Sequence, residues 1–195
     1  MTVKVNLNLP VSVWTASDSA SLASNTLASI KLRTSKGVDA NGAPFDGYST
    51  NSIYVKYKGA RLKPKGGRKS RSGKSVFYAG GYKQYKHESR KRKRGKAVGQ
   101  SAEVDLVLSG QLMNNFIVLE AKSSSFKLGL TKHVQHYGYD VNNEREYIGL
   151  TKKEVDILVE TVAIDIIGDS ASSTTEIVNA GPIATKVTAS DPSVR

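Results

Sequence analysis

The sequence contains no cysteine. That excludes disulfides, cysteine nucleophiles and thiolate-bound metals, and it agrees with a reducing compartment. No apolar run approaches the roughly 20 residues that cross a bilayer as a helix. The opening stretch, MTVKVNLNLP, also lacks the apolar centre of a signal peptide. A soluble chain without membrane contact is expected. Acidic residues are scarce: 17 Asp and Glu face 29 Lys and Arg, a net charge of +12. At 195 residues, one domain with a substantial core is expected.

The positive charge is concentrated. Between Lys56 and Lys96 there are 17 Lys and Arg against one acid, Glu88, a local excess of +16. The remaining sequence holds 12 basic and 16 acidic residues, or −4. The basicity therefore belongs to one segment, and such a segment seeks a polyanion or an acidic protein surface.

Val3, Val5, Leu7 and Leu9 alternate with polar residues, the period of a half-buried strand ended by Pro10. A helix follows over about 17–36, capped by Ser17 or Ser19 and closed by Gly37. Gly37 to Tyr48 is a turn-rich loop anchored by Phe45 and Tyr48, and Ser49 to Lys58 is expected as a short helix with Ile53, Tyr54 and Tyr57 inward. Gly59 to Ser75 has the composition of a flexible basic loop, after which Val76 to Lys86 restores order.

Leu112 to Glu120, a turn at Ala121 to Ser124, and the alternating Ser125 to Leu130 predict a β-hairpin. A short helix around Lys132 to Tyr137 leads to a turn at Gly138-Tyr139-Asp140. Thr151-Lys-Lys-Glu154 is a capping box, and Val155, Leu158, Val159, Val162 and Ile166 recur at helical spacing behind it. The fold class is α+β: a small antiparallel sheet (hairpin 112–130 plus flanking strands) packed with the N-terminal helix and an amphipathic helix over about 151–167. Residues 1–167 form one domain with a basic arm at 56–96, and 168–195 form an extended tail. The tail has too little apolar surface to order itself. It is expected on a neighbouring subunit or another protein of the assembly, as an added strand from Ile177-Val178 or Ile183 to Val187.

Several residue sets suggest chemistry. Asp105 with Glu120-Ala-Lys122 matches the pattern in which two carboxylates hold Mg²⁺ and a lysine activates water, as in restriction-endonuclease-like nucleases. The plainer reading makes Glu120 and Lys122 solvated residues at a turn. His133, His136 and Asp140 have the spacing of a helical metal site, but surface side chains show it as often. Gly66-Gly-Arg-Lys-Ser70 and Ser72-Gly-Lys-Ser75 echo phosphate loops without the spacing. Ser109 has no visible His–Asp partner. Tyr78, Tyr82 and Tyr85 beside the charge run either stack on bases or belong to the core, and the core is the expectation.

In order along the chain, several segments resemble the tail-completion or neck proteins of tailed bacteriophages, the virion-morphogenesis group that joins head to tail. They are Ile30-Lys-Leu-Arg33-Thr34, Gly37-Val-Asp39-Ala-Asn-Gly42-Ala-Pro-Phe45, Tyr48-Ser49, Gly81-Tyr82-Lys83 and Tyr85-Lys86. Asp105-Leu-Val-Leu-Ser-Gly110-Gln-Leu-Met113, His136-Tyr137-Gly138-Tyr139 and Arg145-Glu-Tyr147-Ile148-Gly149-Leu150 complete the set. The resemblance spans roughly Ala20 to Ile167, and the basic segment, the first strand and the tail depart from it.

The resemblance implies an α+β virion subunit, made in the host cytoplasm. It would assemble as a homo-oligomeric ring at the head–tail junction beside connector or tail-tube proteins. It implies no enzyme activity and no cofactor. Packaged DNA or an acidic neighbour would meet Arg68, Lys69, Arg71, Lys74, Arg90, Lys91, Arg92, Lys93, Arg94 and Lys96. The alternatives are a Mg²⁺-dependent nuclease using Asp105, Glu120 and Lys122, and a non-catalytic nucleic-acid-binding protein working as a monomer or dimer.

Overall fold

Thr15 opens the first helix, α1 (Ala16–Ser35). Its hydroxyl accepts from the Asp18 amide at 3.3 Å, and the Asp18 carboxylate accepts from the Thr15 amide at 2.8 Å. This corrects the expectation of a cap at Ser17 or Ser19. Neither serine has an acid three positions on, whereas the Thr15–Asp18 pair satisfies two orphan amides reciprocally. Ser19 turns inward and accepts from the Trp14 indole at 2.7 Å. Ser19, Leu22, Ala23, Thr26, Ile30, Arg33 and Thr34 are buried at helical spacing.

The computed structural model describes residues 2–7, 14–60, 62–90, 104–107, 110–172 and 185–189. The class is α+β, and helix α1 lies against an antiparallel sheet. That sheet contains β1 (Thr2–Leu7), β5 (Phe116–Lys122), β6 (Ser125–Leu130) and β7 (Thr185–Ala189), in the order β5-β6-β1-β7. Val3 pairs with Leu128 and Val5 with Phe126, so both strands point their apolar residues to one side. Val3, Val5, Leu7, Phe126, Leu128 and Leu130 are all buried. Leu9 lies outside the described residues.

The hairpin is shorter than expected. Gly110, at φ +82°, starts a one-turn helix, α3 (Gln111–Asn114), that sends Leu112 and Met113 into the core. Strand β5 therefore begins at Phe116, and the turn shrinks to Ser123-Ser124 because Ala121 and Lys122 stay paired. A bulge between Val118 and Glu120 shifts the pleat, so that Val118 and Ala121 both pack on the core while Glu120 faces out.

Beyond the sheet, a 3-10 turn (Lys132–Val134) leads into α4 (Gln135–Glu144). The expected turn at Gly138 is helical. Gly138 serves close approach instead: a Cβ there would lie 2.1 Å from a Leu130 methyl of β6. Asn142 then accepts from the amides of Tyr147 and Ile148 at 3.1 and 2.8 Å, turning the chain back. Helix α5 (Lys152–Ser172) has the expected capping box, with Glu154 accepting from the Thr151 amide at 2.8 Å. Leu158 and Val162 are buried and Val155 and Val159 half-buried, while the side chain of Ile166 lies outside the described residues.

The tail differs from expectation. Helix α5 extends to Ser172, and Thr185–Ala189 pairs antiparallel with β1 of the same chain, Val187 opposite Val5. The added strand overlaps the anticipated Ile183 to Val187, but its sheet is the chain's own. Residues 173–184, including Ile177-Val178, lie outside the described residues.

Leu158→Ala should cost about 2–5 kcal/mol, the lost burial plus the cavity left behind. A denaturant midpoint equal to the parent's would show that α5 does not pack as described. Truncation after Ser172 should strip hydrogen-exchange protection from those β1 amides that bond β7, and leave those bonded to β6 slow. Uniform retention across β1 would mean that β7 is not paired there.

Candidate nucleic-acid interface

The described part of the basic segment folds, with residues 53–55 before it, as a small layer of its own. Strands β2 (Ile53–Lys56), β3 (Arg68–Lys69) and β4 (Ser75–Tyr78) form an antiparallel sheet in the order β2-β4-β3, followed by helix α2 (Gly81–Arg90). This corrects the expected helix over Ser49 to Lys58. Ile53 and Val55 face one way and Tyr54 and Lys56 the other, a period of two that suits a strand paired with Ser75–Tyr78. Tyr54 is not inward but 63% exposed.

On the inner side, Val76, Tyr78 and Tyr85 are buried, with Ile53, Val55, Tyr57 and Tyr82 packed around them. The rings run edge to face from Tyr78 to Tyr85 (5.4 Å) to Tyr82 (5.9 Å) to Tyr48 (5.3 Å), joining this layer to the main core. The loop read as flexible is tied down. Tyr78 donates its hydroxyl to the Lys65 carbonyl at 2.7 Å, and Tyr85 donates to the Leu62 carbonyl at 2.9 Å. Burial is the main influence raising both phenol pKa values. Gly67 lies so close to β4 that a Cβ would fall 2.5 Å from the Phe77 carbonyl oxygen. The Glu88 carboxylate sits against Gly66. An acid at that position repels an anion, so Gly66-Gly67 serves strand packing rather than phosphate binding.

One cation of the segment is buried. Lys86 ion-pairs with Asp105, donates to the Tyr48 hydroxyl at 2.8 Å and lies 4.3 Å from that ring's centroid. Asp105 also accepts from the Val107 amide at 3.0 Å. Burial, followed by the charge of Asp105, holds the Tyr48 phenol well above its ordinary pKa. The Arg145 guanidinium covers Tyr48 at 5.4 Å and donates to the carbonyls of Asp46 and Gly47, both at 3.4 Å.

The nuclease pattern is divided between two environments. Asp105 is buried with Lys86, whereas Glu120 and Lys122 pair with each other at 2.6 Å while 50% and 65% exposed. Lys122, then Lys127 and Lys4, hold the Glu120 carboxyl below its ordinary pKa. His136 and Asp140 face each other at 3.6 Å on the surface, and His133 is 3.1 Å from the Thr131 hydroxyl. Among the described residues no group of three or more His, Asp or Glu is arranged to hold a metal. Ser109 lies outside them.

Exposed cations gather on the outer side and edge of the small sheet. Arg68 and Lys69 form β3, Arg71 and Lys74 lie in the turn that follows, and all four are exposed. None of these four, nor Lys56, forms an ion pair within the described residues. Arg90 ends α2, while Lys91, Arg92, Lys93, Arg94 and Lys96 lie outside the described residues. Tyr54, Phe77 and Arg68 stand opposite one another across the three strands. The two rings are 4.9 Å apart, and the Arg68 guanidinium lies 5.4 Å from the centre of Phe77. The sequence expectation missed Tyr54 and Phe77, although the alternation in Ile53-Tyr-Val-Lys56 and Ser75-Val-Phe-Tyr78 carries the signal.

Compared with family models, curated proteins and solved structures, the chain matches none.

Asp105→Asn leaves the Lys86 charge buried without its counter-ion and should destabilise the fold by about 3–5 kcal/mol. Lys86→Met together with Asp105→Leu should recover much of that loss. Equal stability of Asp105→Asn and the parent, by chemical denaturation, would rule out a buried pair.

Proposed function

We propose that the chain is a structural subunit of a bacteriophage neck or tail-completion ring at the head–tail junction, without catalysis, whose basic layer faces the DNA that passes through. One observation carries the DNA-facing part of this reading. The cations Lys56, Arg68, Lys69, Arg71 and Lys74 are gathered on the outer side and edge of one small sheet, with no acid paired to them among the described residues. The rest of the chain supplies only −4. Such a face needs negative charge from outside, and repetition around a ring would set every copy at one radius.

The segments that resemble the neck proteins also meet in space, which supports their reading as one joint. Arg33 donates to the Tyr147 and Gly149 carbonyls at 2.8 and 3.2 Å. The Ala40 amide donates to the Glu146 carbonyl at 2.7 Å, and Arg145 reaches Asp46 and Gly47. Lys86 joins Tyr48 to Asp105. These contacts link residues 19 to 116 positions apart, the work of a scaffold.

Light scattering of the purified chain tests assembly, with a closed oligomer expected. Duplex DNA binding should weaken linearly in log salt, by about 0.9 for each phosphate neutralised. Replacing Arg68, Lys69, Arg71 and Lys74 by Ser should flatten that slope without sequence preference. A slope unchanged by the four substitutions would place the contact elsewhere. Plasmid cleavage in Mg²⁺ that disappears in Glu120→Gln would instead make the chain a nuclease.

A further inference from the structure

We infer that the outer row Tyr54–Phe77–Arg68 is a stacking site for unpaired nucleic-acid bases. The inference extends the proposed function, because it rests on the same basic layer meeting nucleic acid. It adds something duplex binding does not need. Phosphates of a duplex are met by charge alone, whereas the faces of paired bases are hidden in the stack.

The geometry separates the two tasks. Tyr54 is the largest apolar exposure of the small sheet, and its ring is held at one edge by Phe77, 4.9 Å away and tilted by 46°. Arg68 closes the other side of Phe77 with a planar guanidinium at 5.4 Å. Neighbouring strands are about 4.8 Å apart, so the three side chains form a row roughly 10 Å long. The strand pairing fixes the row before any ligand arrives, which lowers the ordering cost of binding. Lys56 follows Tyr54 two positions along the same face, and Lys69, Arg71 and Lys74 lie at the edge and in its turn. Every base presents a π-face, so rings flanked by cations bind single strands with little sequence preference. An acidic protein would satisfy the cations equally well but would leave the exposed ring without a matching surface. The combination therefore favours single-stranded nucleic acid, whether a free strand or the frayed end of a duplex.

The test compares an oligothymidylate, an abasic oligomer of equal phosphate number and a duplex, using the full chain at fixed salt. The oligothymidylate should bind on the order of tenfold tighter than the abasic strand, about the contribution of one stacked base. Tyr54→Ala should erase that difference and leave affinity for the abasic strand and the duplex unchanged. Tyr54→Phe should keep it, because the ring and not the hydroxyl does the stacking. Circular dichroism on each variant checks the fold, and the exposed position of Tyr54 makes retention the expectation. Equal binding of thymidylate and abasic strands by the parent overturns the inference, and so does a preference that survives Tyr54→Ala. If the duplex still binds in those cases, the proposed function stands without the stacking site. Failure of all three probes removes both.

Discussion

A single buried guanidinium governs the joint between the first and last helices. Arg33 ion-pairs with Glu154 and donates to the carbonyls of Tyr147 and Gly149. Burial lowers its pKa and the charge of Glu154 raises it again. An isolated charge in that position would cost several kcal/mol, so its acceptors must arrive together. Glu154 also accepts from the Thr151 amide and hydroxyl, so one carboxylate both begins α5 and neutralises α1. Replacing such a pair by apolar residues is often neutral or stabilising, which means that the attraction itself is not the main gain. What the pair contributes here is position: the end of one helix is registered against the start of another 121 residues away.

The same device sets the basic layer on the main body. Lys86 leaves α2 to meet Asp105 directly, and Tyr48 lies beside the pair, its hydroxyl accepting from the ammonium and its ring 4.3 Å from it. Tyr48 in turn continues the edge-to-face series through Tyr82 and Tyr85 to Tyr78. The joint is therefore half electrostatic and half aromatic. Deleting one charge strands the other, and neither half can shift without disturbing its partner.

Patterns that are local in sequence were legible. Thr151-Lys-Lys-Glu154 states its cap within four residues, and Phe126, Leu128 and Leu130 state their shared face by alternation. The α+β class follows from those two signals. Less legible were features decided by a distant partner. Gly138 suggests a turn until Leu130 is seen against its Cα, and Leu112 suggests a strand until Gly110 bends the chain beforehand. The short run Ile53 to Lys56 fits a helix or a strand, and Ser75 to Tyr78 decides it by pairing. At the candidate interface the cations were visible as composition. Sequence could not show that Lys86 is buried, because its counter-ion lies 19 positions away in another segment. Tyr54 reads as inward from sequence because a large aromatic favours the core, and the strand period sends it out instead.

The small sheet folds within a strongly basic segment because its strands separate the two requirements. Inner positions go to Ile53, Val55, Val76 and Tyr78, which build a small core with Tyr85. Outer positions take Lys56 and Arg68, and the turn between β3 and β4 takes Arg71 and Lys74. Helix α2 does hold like charges three and four apart, at Lys83, Lys86 and Arg90, and there Lys86 is neutralised by Asp105. A narrow sheet instead spreads them over one face and an open turn, in water and salt that screen them. Under the proposed function, part of the free energy of DNA binding would come from relieving the repulsion that remains on that face. The apolar inner side holds the layer in shape without a ligand.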